Sequence, residues 1–246
     1  MRLLAQVSYK GTAYQGWQKQ DNAPTVQGTI EQVLSQILNT KISIYGSGRT
    51  DAGVHAQRQY FHFDVDKENL DINRLRYSAN CLLPKDIFIN EIKQVTDDFH
   101  ARFSAKGKTY SYLMRLDERN PFNFDFETNI PYEVDVKLLQ ESLKKFEGQH
   151  NFQDFTSKEE DDDGFVRIVT KVECTYIEQV KQFIVTFIGN GFMRYMIRNM
   201  VGTAVAIAAN KEKPDYIDKH LQDKKERDIV PYKAAPEGLY LVDVNY

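Results

Sequence analysis

The chain has 246 residues, of which 41% are hydrophobic and 27% charged, and its mean hydropathy is negative. That length fits one or two domains, and the composition excludes wholesale disorder, a small disulfide scaffold and a multispanning membrane protein. Thirty-two Lys and Arg oppose 35 Asp and Glu for a net charge of −3, so no overall basic excess points to a polyanionic partner.

The first strand candidate runs from Leu3 to Tyr9, where apolar and polar residues alternate. After a turn-rich stretch with Gly11, Gly16 and Trp17, the positions Val26, Ile30, Val33, Leu34, Ile37 and Leu38 form one stripe of period 3.6, which predicts a helix capped by Thr25. Ile42 to Tyr45 reads as a short strand, and Gln59 to Val65 as another with Phe61, Phe63 and Val65 on one face. Asp71 caps a helix through Ile72, Leu75 and Ala79 that ends near Pro84, and Ile87 to Val95 is a strand. The order is βαββαβ.

The second half opens with a strand from Lys108 to Leu116 and a helix capped by Asp135 and stopped by Gly148. Arg167 to Ile177 and Gln182 to Ile188 form a hairpin. A long apolar helix covers Phe192 to Ala209, a short one starts at Pro214, and Tyr240 to Val244 closes as a strand. The same element order thus occurs twice, predicting an α/β (α+β) protein of two ferredoxin-like βαββαβ halves, residues 1–105 and 106–246, with mostly antiparallel mixed sheets. A cleft between the halves is the expected place for a large substrate.

Cys81 and Cys174 lie far apart in apolar contexts with no metal-ligand spacing, so both read as reduced core residues and no zinc site is expected. Met1 to Gln6 lacks the roughly 7 to 15 apolar residues of a signal peptide. No run reaches the ~18 needed to span a bilayer, and the expectation is a cytoplasmic protein away from membranes.

The most distinctive stretch is Gly46-Ser47-Gly48-Arg49-Thr50-Asp51-Ala52-Gly53-Val54-His55-Ala56. Three glycines in eight positions permit a backbone that bulky residues refuse, and an Arg and an Asp two apart sit between two strands. A phosphate loop fits poorly, because Gly-Lys-Ser/Thr is missing and a strand follows where a helix is needed. Asp51 and His55 stand four apart, but outside a helix that spacing makes no metal pair. A glycosidase would need a second acid ~5 Å from the first, and none is evident near the motif. The run Asp161-Asp162-Asp163-Gly164 fits neither an aspartyl-phosphate motif nor a calcium loop and reads as solvated.

This loop resembles the catalytic motif of the tRNA pseudouridine synthase A family. Further family-like stretches follow in order: Tyr9 to Trp17, Thr25 to Glu31, Leu82 to Ile87, Ala101 to Tyr112, Gly191 to Gly202 and Ala235 to Leu241. The resemblance implies the pseudouridine synthase fold and isomerisation of uridine to pseudouridine in the tRNA anticodon stem-loop, at conventional nucleotide positions 38, 39 and 40. The glycosidic bond breaks, the uracil turns, and C5 bonds to the same ribose carbon. Nothing is gained or lost, so no cofactor and no metal is expected, and the implied partners are tRNA and a second copy in a homodimer.

By the same resemblance Asp51 is the catalytic carboxylate, whether it attacks the ribose, attacks the base or stabilises a proton-transfer intermediate. Arg198 matches the arginine that pairs with it. Arg198 is also the only charged residue between Tyr195 and Asn210, a placement that is costly unless it is paired or reaches a polar cleft. Tyr110 reads on pattern as a core strand residue, whereas the resemblance makes it the tyrosine that stacks on the target uracil. Arg49, Thr50 and His55 are the remaining substrate-side candidates. Arg49 extrudes the base, contacts phosphate or orders the loop, and His55 as an isolated ring reads as structuring the loop. The competing reading is a non-catalytic RNA-binding protein on the same scaffold.

The net charge of −3 is unevenly spread. Residues 1–105 carry 12 basic and 11 acidic side chains, residues 106–246 carry 20 and 24, and Lys158 to Asp163 alone holds five acids and one base. Any RNA contact must therefore depend on where the cations stand, not on their total.

Overall fold

The computed structural model describes residues 1–66, 69–159, 164–222 and 226–246. In chain order the first elements are β1 (Arg2–Tyr9), α1 (Val26–Leu38), β2 (Tyr45–Gly46), β3 (His55–Asp64), α2 (Ile72–Leu82) and β4 (Ile87–Val95). They are followed by β5 (Gly107–Arg115), β6 (Thr128–Asn129), α3 (Val136–Lys144), β7 (Gly148–Asn151), β8 (Val166–Ile177) and β9 (Gln182–Gly189). The chain ends with α4 (Met196–Ala208), α5 (Tyr216–His220) and β10 (Leu239–Asn245). Two units result, 1–106 with 240–246 and 107–239.

In the first unit β1 lies between β3 and β4 and is antiparallel to both, and β2 pairs antiparallel with β3 on its other side. The β1–α1–β2 crossover is thus split by β3, the ferredoxin-like arrangement that the element order predicts. Helix α1 starts where Thr25 Oγ1 accepts from Gly28 N at 3.3 Å, and α2 where Asp71 Oδ1 accepts from Arg74 N at 2.9 Å. Leu3, Val7, Ile30, Leu34, Phe61 and Phe63 are fully buried. Each apolar side chain of this size stabilises the fold by about 1.5–3 kcal/mol.

Three expectations need correction here. Ile42 to Ile44 is not strand, because α1 takes over its backbone: Ser35 Oγ accepts from Ile42 N, Glu31 accepts from Ile44 N, and Gln27 donates to Ile44 O. Cys81 is exposed and Cys174 half-buried, so neither is a full core residue. The closing strand β10 pairs in parallel with β3, Tyr240 opposite His55 and Leu241 opposite Ala56, and so belongs to the first unit.

The second unit is an antiparallel sheet in the order β5-β9-β8-β7, with the two-residue β6 alongside β5. Asp135 Oδ1 accepts from Leu138 N at 3.0 Å to cap α3. The β8–β9 hairpin turns through Lys181 at φ +49. Phe146, Phe152 and Phe155 cluster with ring centroids 5.2–6.5 Å apart. Helix α4, buried along nearly its whole length, starts four residues later than its apolar run, because Tyr195 stands before it at φ +63. Among the described residues no helix is long and apolar enough to cross a membrane. Of the acidic run, residues 160–163 lie outside the described residues.

Candidate active site

The Gly46–Ala56 loop is gripped by the stretch that follows β1. Trp17 N donates to Thr50 O at 3.1 Å, Gly53 N to Tyr14 O at 3.3 Å and Gly11 N to His55 Nδ1 at 3.0 Å. Two of these approaches admit only glycine. A Cβ on Gly11 would lie 2.0 Å from Val54 O, and one on Gly16, at φ +89, would lie 2.7 Å from Thr50 O. The Tyr-x-Gly-x-x-Tyr-x-Gly-Trp spacing is therefore the spacing of a clamp: Tyr9, Gly11, Tyr14, Gly16 and Trp17 each meet the loop or the strand that leads from it.

Polar side chains finish the clamp. The Tyr9 and Thr50 hydroxyls share a hydrogen bond of 2.8 Å, and burial pushes the Tyr9 phenol well above its ordinary pKa. Gln59, 0% exposed on β3, donates from Nε2 to Gly48 O at 3.0 Å. Its Oε1 accepts from Tyr60 N at 3.0 Å and from the Ser47 hydroxyl. On the helix side, Glu31 Oε1 accepts from Gln27 and from Ile44 N, and Oε2 from Lys19 Nζ at 2.9 Å. Gln27 and Glu31 stand four apart on one face of α1, which fixes the chain just ahead of the loop.

The outcome is a loop anchored at both ends and raised in the middle. Thr50, Val54 and His55 are buried, Asp51 and Gly53 are half-buried, and Arg49 and Ala52 are exposed. The His55 ring, 1% exposed, also stacks on Tyr240 at 4.7 Å. Thr50 and His55, both substrate-side candidates, thus have side chains turned into the fold, where they hold the loop as the structuring reading of His55 expects.

Tyr110 and Arg198 belong to the second unit and meet the two ends of the 191–198 stretch there. Tyr110, on β5 opposite Phe187 of β9, is 8% exposed and makes an edge-on contact with Phe192 at 5.4 Å. Arg198, also 8% exposed, donates from Nε to Ala234 O at 2.8 Å, while Ala234 N donates to Arg198 O at 2.9 Å. Its guanidinium lies 5.4 Å from the Tyr195 ring centroid. Nearby, the Tyr112 hydroxyl meets Thr128 Oγ1 at 2.6 Å and donates to Ala235 O at 2.8 Å, and burial again raises its pKa. The 234–235 segment is therefore tied to both α4 and β5.

A family model described as tRNA pseudouridine synthase matches residues 5–104 and 143–246. Curated relatives named tRNA pseudouridine synthase A, from Streptococcus pneumoniae serotype 19F (strain G54) and from strain Hungary19A-6, are each 39% identical over 248 residues. Those matches span 100% of this chain and 98% of each relative. The chain belongs to the tRNA pseudouridine synthase A family. Its activity is that of an isomerase converting uridine to pseudouridine in tRNA, which removes the non-catalytic reading. Among solved structures, the archaeal box H/ACA sRNP Nop10–Cbf5 complex aligns at 14% identity and a TM-score of 0.36, over 82% of this chain and 43% of that one.

Within this tRNA pseudouridine synthase A scaffold, the residues that motif reading left without a role are Tyr9, Gln27, Glu31 and Gln59. Each had a signal. Gln59 shares the strand parity of Phe61 and Phe63, so a carboxamide stands on the buried face, where it needs hydrogen-bond partners. Gln27 and Glu31 interrupt the apolar stripe of α1 in the same way.

Proposed function

We propose that this enzyme acts on uridines of the tRNA anticodon stem-loop, at conventional positions 38, 39 and 40, with Asp51 as its catalytic carboxylate. The observation that carries the reading is the exposure profile of the loop: Asp51 is partly open to solvent between buried Thr50 and buried Val54. A surface Arg–Asp pair has no need of such anchoring, whereas a carboxylate that must meet one atom of a bound nucleotide does.

Catalysis then divides among four side chains. Extracting a base from a stem costs a few kcal/mol. Stacking on an aromatic ring returns roughly 1–3 kcal/mol, the role assigned to Tyr110. Arg49, exposed beside Asp51, contacts the extruded nucleotide or its phosphate. Arg198 supplies the cation that favours the ionised form of Asp51 over the protonated one. The working form is a homodimer.

The test is pseudouridine mapping on an unmodified tRNA transcript by base-specific chemical labelling. Asp51→Asn is expected to lose all detectable product on the anticodon stem-loop while still binding the transcript. Product at near wild-type rate rejects Asp51, and wild-type product confined to other parts of the tRNA rejects the anticodon assignment.

A further inference from the structure

The Tyr195 ring carries three cations at once. Arg194 Cζ lies 4.8 Å from its centroid, Arg198 Cζ 5.4 Å and Lys233 Nζ 4.4 Å. Arg194 Nη2 also donates to the Tyr195 hydroxyl at 3.0 Å, holding one cation to the ring by its edge as well. Among the described residues neither Arg194 nor Lys233 has a carboxylate partner. Several other cations of the second unit are matched: Arg115 with Glu127, Lys144 with Glu147, Lys145 with Asp218, Lys171 with Glu173 and Lys219 with Asp215.

A ring quadrupole attracts each cation weakly, while three like charges around it repel one another. The Tyr195 backbone adds to the expense, since φ +63 is a conformation that a bulky side chain rarely adopts. An arrangement that gathers Arg194 and Lys233 on a strained residue, neither with a carboxylate partner among the described residues, is completed by an anion. The family's substrate is a polyanion, and Arg198 is the member of this cluster assigned to the reaction.

We propose that Arg194 and Lys233, gathered with Arg198 around the Tyr195 ring, bind backbone phosphates of the substrate RNA, one each. The proposal rests on tRNA being the substrate and not on the role of Asp51. It also accounts for how a chain of net charge −3 engages RNA. The cations that do the work are local and unpaired, so the overall sum does not register them.

The experiment is filter binding of an unmodified tRNA transcript from 50 to 200 mM KCl, with wild type, Arg194→Gln, Lys233→Gln and the double variant. Each single change is expected to reduce the magnitude of the log–log salt slope by about 0.7–0.9, and the double change by about twice that. Lys137→Gln is the control, because Lys137 is 85% exposed and lies 3.9 Å from Glu141; its slope is expected to match wild type. Unchanged slopes in Arg194→Gln and Lys233→Gln overturn the proposal, as does an equal fall in Lys137→Gln. A wild-type protein that retains no transcript at any of these salt concentrations would instead overturn the RNA substrate itself. Both cationic ends are exposed, so the variants are expected to fold, which thermal melting checks.

Discussion

The loop around Asp51 presents its charged residue from an irregular segment and the stretch around Arg198 from the first turn of α4, and the two are held by different means. The first is fixed through its backbone: the Tyr9–Trp17 stretch donates to or accepts from residues 50, 53 and 55, and Gln59 reaches back to residue 48. The second is fixed largely through side chains, with Arg198 on the carbonyl of Ala234 and the Tyr195 ring among cations. Backbone anchoring leaves no room for variation in the clamping residues. Side-chain anchoring leaves space and tolerates change, at the expense of concentrating charge.

The sharpest way to break this contrast is to add one methyl group to each region. Gly11→Ala puts a Cβ 2.0 Å from Val54 O, whereas Gly191 has no atom within 4 Å of that position. Gly11→Ala is expected to destabilise the fold by about 3 kcal/mol or more, and Gly191→Ala by less than about 0.5 kcal/mol, both read by urea titration. Equal effects would remove the distinction.

Next in size, Gln59→Leu leaves Gly48 O and Tyr60 N without their carboxamide partner and is expected to cost about 2–3 kcal/mol. Activity should fall more than the unfolded fraction explains, since the backbone just before Asp51 loses its anchor. A variant with full specific activity after correction for folding would show that the clamp serves stability alone.

The smallest effect separates the regions by pH. Burial, helped by the neighbouring charges of His100 and Arg2, lowers the pKa of His62 from 6.5 to about 4. The unfolded chain therefore binds the extra proton between those values and the folded protein does not. This contribution is complete above pH 6.5 and is lost as pH falls towards 4. Asp64, held low by its hydrogen bonds to Arg2, faces the same cluster and loses its contribution only in more acid solution. Melting temperature against pH for wild type and His62→Gln should show a shallower acid slope in the variant; parallel curves would contradict it.

Much of the architecture is legible in the sequence because amphipathic period and capping chemistry are local. Thr25, Asp71 and Asp135 cap the helices they precede, and the stripe on α1 is the one buried. The misses arise where one element's side chains satisfy another's backbone. Ile42 to Ile44 has strand residues but donates to Ser35 and Glu31, and the start of α4 is set by a left-handed Tyr195 and not by hydrophobicity. For the site, the glycine pattern reveals that Asp51 lies on a constrained loop. It does not reveal that Thr50 points inward or which partners enclose His55, because burial depends on Tyr9, Gly11 and Tyr240 arriving from distant parts of the chain.

That last partner bears on how the enzyme is made. The strand that carries His55 is completed by β10, whose Tyr240 and Leu241 lie opposite His55 and Ala56. During synthesis at roughly 5–20 residues per second, the ribosome delivers those partners on the order of 10–40 s after His55 itself has emerged. For that interval the parallel edge beside the Asp51 loop has no mate, and the second unit, residues 107–239, is made in between. The nascent enzyme therefore acquires the Asp51 loop early and the strand that seats it last, so a chain stalled before residue 240 carries that loop without its finished support.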